Sequence, residues 1–321
     1  MKRHLISNIS VLIFVLLAAT FASAQVVRPP VPRDSQKASV MQTIGTTDVT
    51  ITYSRPAVKG RTIFADAPPS MAQRASGEGT LDDQNKRQQG EPIVPWGHVW
   101  RTGANEATLF VVTDDVLING RPLAAGRYSL HSIPGRDDWT FIFNKDDGQW
   151  GSFSYDAAKD ALRVKAKPQW VSNSQELLTY SAEPVTAATV TFTVSWEKLR
   201  VPFTVEVKDV VAATMGHLRA YVAAAKPDDP APFINAANYA KANKQGEQAT
   251  QWFEQALKIN DVQIATKETF QNLQRKATIL LGLGRTQDAL AVAEAAVVRG
   301  KADKVDTSAL EKRIADIKAG K

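Results

Sequence analysis

Three phrases of the chain concentrate side chains that turns do not need. The first is Ser54-Arg55-Pro56-Ala57-Val58-Lys59-Gly60-Arg61. The second runs Pro95-Trp96-Gly97-His98-Val99-Trp100-Arg101-Thr102-Gly103-Ala104-Asn105-Glu106-Ala107-Thr108, and the third is Phe143-Asn144-Lys145 continuing to Trp150-Gly151. Arg55, Arg61 and Arg101 could present planar guanidinium forks to a carboxylate or phosphate. Trp96, Trp100 and Trp150 could stack on a sugar or another ring, although tryptophans of small β domains more often fill the core. Asn105 and Glu106, beside Arg101, must satisfy buried donors or contact something. Arg55, Arg61, Trp100, Arg101, Asn105, Glu106 and Trp150 are therefore the candidate ligand-binding set. For a hydrolase, Glu106 with Asp137 or Asp138 would supply the general base, provided they face one cleft.

Other chemistries are absent. The chain has no G-x-S-x-G elbow, no P-loop, no glycine fingerprint after a strand and no H-E-x-x-H. It has no cysteine, which removes disulfides, thiol nucleophiles, Cys-ligated zinc and the lipidated cysteine of a bacterial lipoprotein. His98, His131 and His217 are too widely spaced to predict a metal site, and no cofactor is expected. Ser129 and Ser132 flank His131, but neighbours along a strand point to opposite faces, so no nucleophile–base pair is expected there. The net charge is +6, with both signs intermixed. Without a basic stripe interleaved with aromatics, nucleic acid is not an expected partner.

The elements that must position these residues fall into two classes. From Thr46 to about Val207 the pattern is β. Val49, Ile51 and Tyr53 alternate with threonines, and similar runs recur at 108–112, 128–130, 139–143, 162–164, 190–196 and 203–207. Asn119-Gly120, Ala125-Gly126, Pro134-Gly135 and Asp147-Gly148 mark turns. This predicts an antiparallel β-sandwich or barrel-like domain over 41–207. Residues 65–92, rich in Ala, Pro, Ser, Gly and Gln, read as a disordered insertion loop, and 25–40 as a flexible entry segment.

After Val207 the spacing turns helical. Val210, Val211, Met215 and Leu218 predict one helix, ended by Pro227 and Pro230. Ala236, Ala237 and Ala240 before Lys244-Gln245-Gly246, then Ala249, Phe253 and Ala256, predict a hairpin. Leu273, Ala277 and Leu280 before Gly282-Leu283-Gly284, then Ala289, Ala293 and Ala296, predict a second. Small residues at these offsets resemble tetratricopeptide repeats with a lengthened connection. The fold class is α+β and multidomain, with the helical module at 208–321, packed on itself and on the first helix.

The same phrases carry a family resemblance. Ser54-Arg55-Pro56 with Lys59-Gly60-Arg61, the run Val99 to Thr108, Ala125 to Gly135, and Trp139 to Tyr155 resemble the bacterial domain of unknown function 2911. The resemblance covers roughly residues 40–207 and implies a signal peptide, with no activity to carry over.

Residues 1–24 have the layout of a cleaved signal peptide. A basic start, Met1-Lys2-Arg3-His4, is followed by an apolar run from Val11 to Ala19 and by Ala22-Ser23-Ala24. Cleavage after Ala24 would leave a net charge of +4 and no stable membrane insertion. The expected location is periplasmic or secreted. The expected function is non-enzymatic: binding of a small polar or anionic ligand or glycan by the β domain, and of a protein or peptide by the helical module. The alternatives are a carboxylate-dependent hydrolase and an envelope scaffold.

Overall fold

The computed structural model describes residues 31–72, 82 and 87–320; the expected signal peptide lies outside them. Residues 35–321 form one contact unit, and Val31–Asp34 of the other unit have no regular structure.

Among the described residues, twelve strands come first. They are β1 (Gln36–Ile44), β2 (Thr47–Arg55), β3 (Phe64–Ala65), β4 (Val94–Pro95), β5 (Thr108–Val112), β6 (Val116–Ile118), β7 (Arg121–Leu123), β8 (Gly126–Ile133), β9 (Trp139–Asn144), β10 (Asp160–Ala166), β11 (Gln169–Val185) and β12 (Thr189–Glu206). Among the described residues between β3 and β4, Pro69–Ala72 form a helical turn, α1. Two antiparallel sheets result, in the orders β1-β2-β5-β8-β9-β10 and β11-β12-β6-β7, while β3 and β4 pair in parallel. The inner faces share one core: Val49 and Ile51 of β2, Phe110 of β5, Leu130 of β8 and Phe141 and Phe143 of β9 meet Phe192, Trp196, Phe203 and Val205 of β12. Each large apolar side chain buried there stabilises the domain by about 1.5–3 kcal/mol. The sandwich expected from the alternation is present, and the chain is α+β.

Three local expectations are corrected. Gln36–Val40, read as part of a flexible entry, belong to β1 and pair with Ile51–Arg55. The stretch 65–92 is anchored at several of its described residues: Met71 is fully buried, Asp82 and Pro92 are buried, and Ala65 of β3 pairs with Pro95 of β4, while Asp66 and Gln88–Gly90 are exposed. Its composition hid this because a few buried residues suffice to anchor a polar segment. The runs at 190–196 and 203–207 are one strand, β12, which carries a left-handed residue, Glu197 (φ 51°), between them.

The helices are α2 (Val210–Ala223), α3 (Ala231–Ala242), α4 (Gly246–Thr266), α5 (Phe270–Gly282), α6 (Thr286–Ala302) and α7 (Ser308–Lys318). α3 with α4 and α5 with α6 are the two predicted hairpins. Ala236, Ala237 and Ala240 pack with Phe253 and Ala256, and Ala293 and Ala296 pack with Phe270 and Leu273. α7 adds Leu310 and Ile314 to the latter group.

α2 ties this module to the sandwich. Its first turn is capped by the Asp209 carboxylate, which accepts the Ala212 amide at 2.8 Å. Val210 and Ala213 pack against the β core. His217 Nε2 lies 2.9 Å from Asp114 Oδ1, and Asp114 Oδ2 accepts Thr47 Oγ1 at 2.8 Å. In the β1–β2 turn, Gly45 has φ 62°, and a Cβ there would lie 2.4 Å from Val210 Cγ1. Gly45→Ala should therefore destabilise the protein by about 1–3 kcal/mol, from left-handed strain plus overpacking of α2. A urea unfolding midpoint equal to wild type would refute that contact.

Candidate functional site

The phrase Trp100–Thr108 folds into a clasp before β5. Thr102 sits at φ 51°, a conformation that β-branched residues rarely adopt, and Asn105 at φ 61°. Four hydrogen bonds hold Thr102 there. Its hydroxyl donates to Trp100 O at 3.3 Å and Ser132 Oγ at 3.0 Å, while its carbonyl accepts Thr108 Oγ1 at 2.9 Å and Tyr180 Oη at 3.2 Å. The Trp100 indole N–H donates to Gly103 O at 3.1 Å, and its ring lies in the core, stacked on Trp196 at 6.0 Å.

Arg101 leaves this clasp on the other side. Its guanidinium is buried, forms a two-pronged pair with the Asp82 carboxylate, and donates to Asn105 O at 2.6 Å. It also lies over the Phe153 ring, 5.3 Å from the centroid. Gly151 packs against it so closely that a Cβ would come within 3.0 Å of Arg101 Cζ. Because both charges are desolvated, removing one leaves the other uncompensated. Asp82→Ala should destabilise the protein by about 3–5 kcal/mol in urea unfolding; a loss below about 1 kcal/mol, the ceiling for an exposed pair, would mean the pair is not buried in solution.

The candidate residues converge only in part: Trp100, Arg101 and Asn105 share the clasp, while Arg55 and Arg61 are engaged elsewhere. Arg55 donates to Leu178 O at 3.1 Å and Thr179 Oγ1 at 2.8 Å, sewing β2 to β11. Arg61 curls back onto the carbonyls of Ala57 and Val58. Asn105 Nδ2 donates to Ser35 O at 2.9 Å. Glu106 and Trp150 are brought together, forming a β-bridge. Asp138 lies on the exposed 134–138 turn and takes the Lys167 ammonium at 3.0 Å.

The outer face of the six-stranded sheet holds what the sequence reading missed. Leu130 of β8 points into the core, so Ser129 and His131, two residues apart, share the opposite face. Ser129 Oγ is 2.9 Å from His131 Nε2, and His131 Nδ1 is 3.1 Å from Ser152 Oγ. The expectation that no serine pairs with His131 is corrected: it holds for the adjacent Ser132, not for Ser129 at i−2. All three residues of the trio are fully buried beneath the β9–β10 loop. That loop is anchored beside them. Tyr155 donates to Asp160 Oδ2 at 2.8 Å, Arg163 donates to both, and Asn144 Nδ2 donates to Asp160 Oδ1 at 2.8 Å. Burial and the Asp160 carboxylate raise the Tyr155 phenol well above its ordinary value. A neutral imidazole between two hydroxyls is the arrangement that activates a serine nucleophile. With Ser129 sealed from solvent, here it serves to satisfy a buried polar layer.

His131 is held neutral. Burial lowers its pKa from 6.5 to about 4, with Arg101 lowering it further and Asp82 and Asp160 opposing. Between those two values the unfolded chain binds a proton that the folded chain does not, so stability falls as pH drops through that window and is flat outside it. The loss amounts to about 3 kcal/mol. Urea unfolding of wild type against His131→Asn, from pH 7 to pH 4, should show that slope in wild type and a smaller one in the variant; parallel curves would overturn it.

One open surface is chemically distinct. The Asn119-Gly120 turn, both residues at positive φ, folds against β10 and β12: Asn119 Nδ2 donates to Lys165 O at 2.9 Å, and the Thr204 amide donates to Asn119 Oδ1 at 2.8 Å. Between this turn and β10 lies a groove of about 570 Å³, lined by Arg121, Thr140, Arg163 and Lys165 among others. It continues past Asn119 and Lys165 into a second hollow of about 300 Å³ walled by Asp138, Lys167 and Thr204. Arg163 is engaged by Asp160, and Lys167 by Asp138. Among the described residues Arg121 and Lys165 are in no ion pair.

The fold and these sites define an α+β protein: an antiparallel sandwich clasped by a buried arginine–aspartate pair and followed by helical hairpins. The chain belongs to the family described as protein of unknown function (DUF2911), whose model matches residues 35–76 and 82–205. The match runs through most of 65–92, leaving only 77–81 outside. No curated protein and no solved structure matches the chain.

Proposed function

We propose that the protein is an exported, non-catalytic binding protein that holds a small anionic ligand in the groove between β10 and the β6–β7 turn. The observation that carries this reading is Arg121 and Lys165 lining one concavity, neither of them in an ion pair among the described residues, with the Asp138 carboxylate beyond Lys165 paired to Lys167. Cations facing an open groove attract anions, whereas Arg55, Arg61 and Arg101, expected earlier at the site, are spent on backbone carbonyls, a hydroxyl and Asp82. Thr140, on the same wall, adds a hydroxyl that fits a carboxylate or phosphate oxygen. The Lys167–Asp138 pair is exposed on both sides, so solvent and salt screen it and a ligand can displace it at little cost. Export rests on the basic, apolar and small-residue order of residues 1–24. The helical hairpins are the part of this proposal that would meet a protein or peptide partner.

Calorimetric titration with citrate, a trivalent carboxylate, tests the groove. Wild type should bind, with affinity falling as salt rises, and the double substitution Arg121→Ala with Lys165→Ala should weaken binding about tenfold or more. An unchanged affinity in the double variant would overturn the reading.

A further inference from the structure

Trp170 opens β11 and is 53% exposed, although its ring is not loose. It meets Trp96 edge-on at 6.3 Å, and its indole N–H donates to Arg136 O at 3.4 Å. Trp96 stacks on Phe64 at 5.3 Å, with 14° between the planes. Phe64 in turn stands edge-on to Trp139 and Trp196, each at 6.0 Å, inside the core. An aromatic ladder thus runs from the centre of the sandwich to solvent and ends in a half-exposed indole whose position the ladder fixes. The turn that anchors that indole through Arg136 also supplies Asp137 O and Asp138 Oδ1 to the Lys167 ammonium, at 3.5 and 3.0 Å. Asp138 and Lys167 wall the outer end of the cationic groove. One turn therefore links an aromatic face to a row of cations.

We propose that Trp170 is a sugar-stacking subsite and that the ligand of the groove is an acidic oligosaccharide. Its carboxylates meet Lys165 and Arg121, and a neighbouring pyranose lies on Trp170. This rests on the anion-binding reading above. A pyranose has one face of C–H groups that packs on the electron-rich face of an indole. A ring already clamped by Trp96 and Arg136 loses little freedom when it is covered, so more of the contact appears as affinity. Arg163 and Lys165 occupy outward positions of β10, about 7 Å apart along an extended strand, and Lys167 follows directly after its end. A row of basic residues of that kind suits a linear polyanion better than a single phosphate.

The experiment is calorimetric titration of the full chain with tri-galacturonate, neutral maltotriose and citrate. Tri-galacturonate should bind and maltotriose should bind far more weakly. Trp170→Ala should weaken tri-galacturonate about tenfold while leaving citrate affinity and the urea midpoint unchanged; Lys165→Ala should weaken both acidic ligands. If Trp170→Ala binds tri-galacturonate as wild type does, the stacking subsite is overturned while citrate binding upholds the groove; if maltotriose binds as well as tri-galacturonate, the assignment of an acidic oligosaccharide is overturned. If neither citrate nor tri-galacturonate binds, both readings fall.

Discussion

The buried guanidinium of Arg101 is the point at which separate stretches of the chain are joined. One side of it takes the Asp82 carboxylate, the described anchor of the polar segment between β3 and β4. Another donates to Asn105 O, which also accepts the Gly151 amide at 3.0 Å. Phe153 covers it from the β9–β10 loop. Because both partners are desolvated, the pair is intolerant of losing either member, and its value lies in fixing where three segments meet. The left-handed Thr102 beside it is strain that this junction and the hydrogen bonds around Thr102 over-determine.

The two faces of the six-stranded sheet are covered in different ways. Its inner face is aromatic and aliphatic and packs on β12. Its outer face, under the β9–β10 loop, is a layer of Ser129, His131, Asn144 and Ser152 joined by hydrogen bonds to one another and to the covering loop. Such a layer is stable only if its members are satisfied, which is why a neutral imidazole bridging two hydroxyls suits it. Toward β10 the cover stops and the same face turns basic, so the open groove and the sealed polar layer are neighbouring parts of one surface.

Strands with one buried face were legible in the sequence because burial imposes a period of two on residue type. β2, β5, β9 and both halves of β12 read directly. β11 did not: it is a sheet edge, most of its side chains are exposed, and nothing selects alternation there. β1 was missed for a related reason, its inward positions being only partly buried at Ala38 and Val40. Of the candidate residues, Trp100, Arg101 and Asn105 proved to be one clasp. Arg121, Lys165 and Trp170 carried no signal, since a lone basic or aromatic residue on an exposed strand looks ordinary until its neighbours across the sheet are known.

The sequence by itself determined the α+β class, the sandwich, the turn at Asn119-Gly120, the order of the helical hairpins and the family, because these follow from local periodicity and contiguous phrases. Only the tertiary structure decided which polar residues face one another. Ser129 and Ser152 reach His131 from different elements, Asp82 reaches Arg101 across a loop, and Arg121 reaches the side of Lys165 through the Asn119 turn. The physical reason is that charge pairing and cavity lining depend on distances between strands, and those distances are set by sheet order rather than by spacing along the chain.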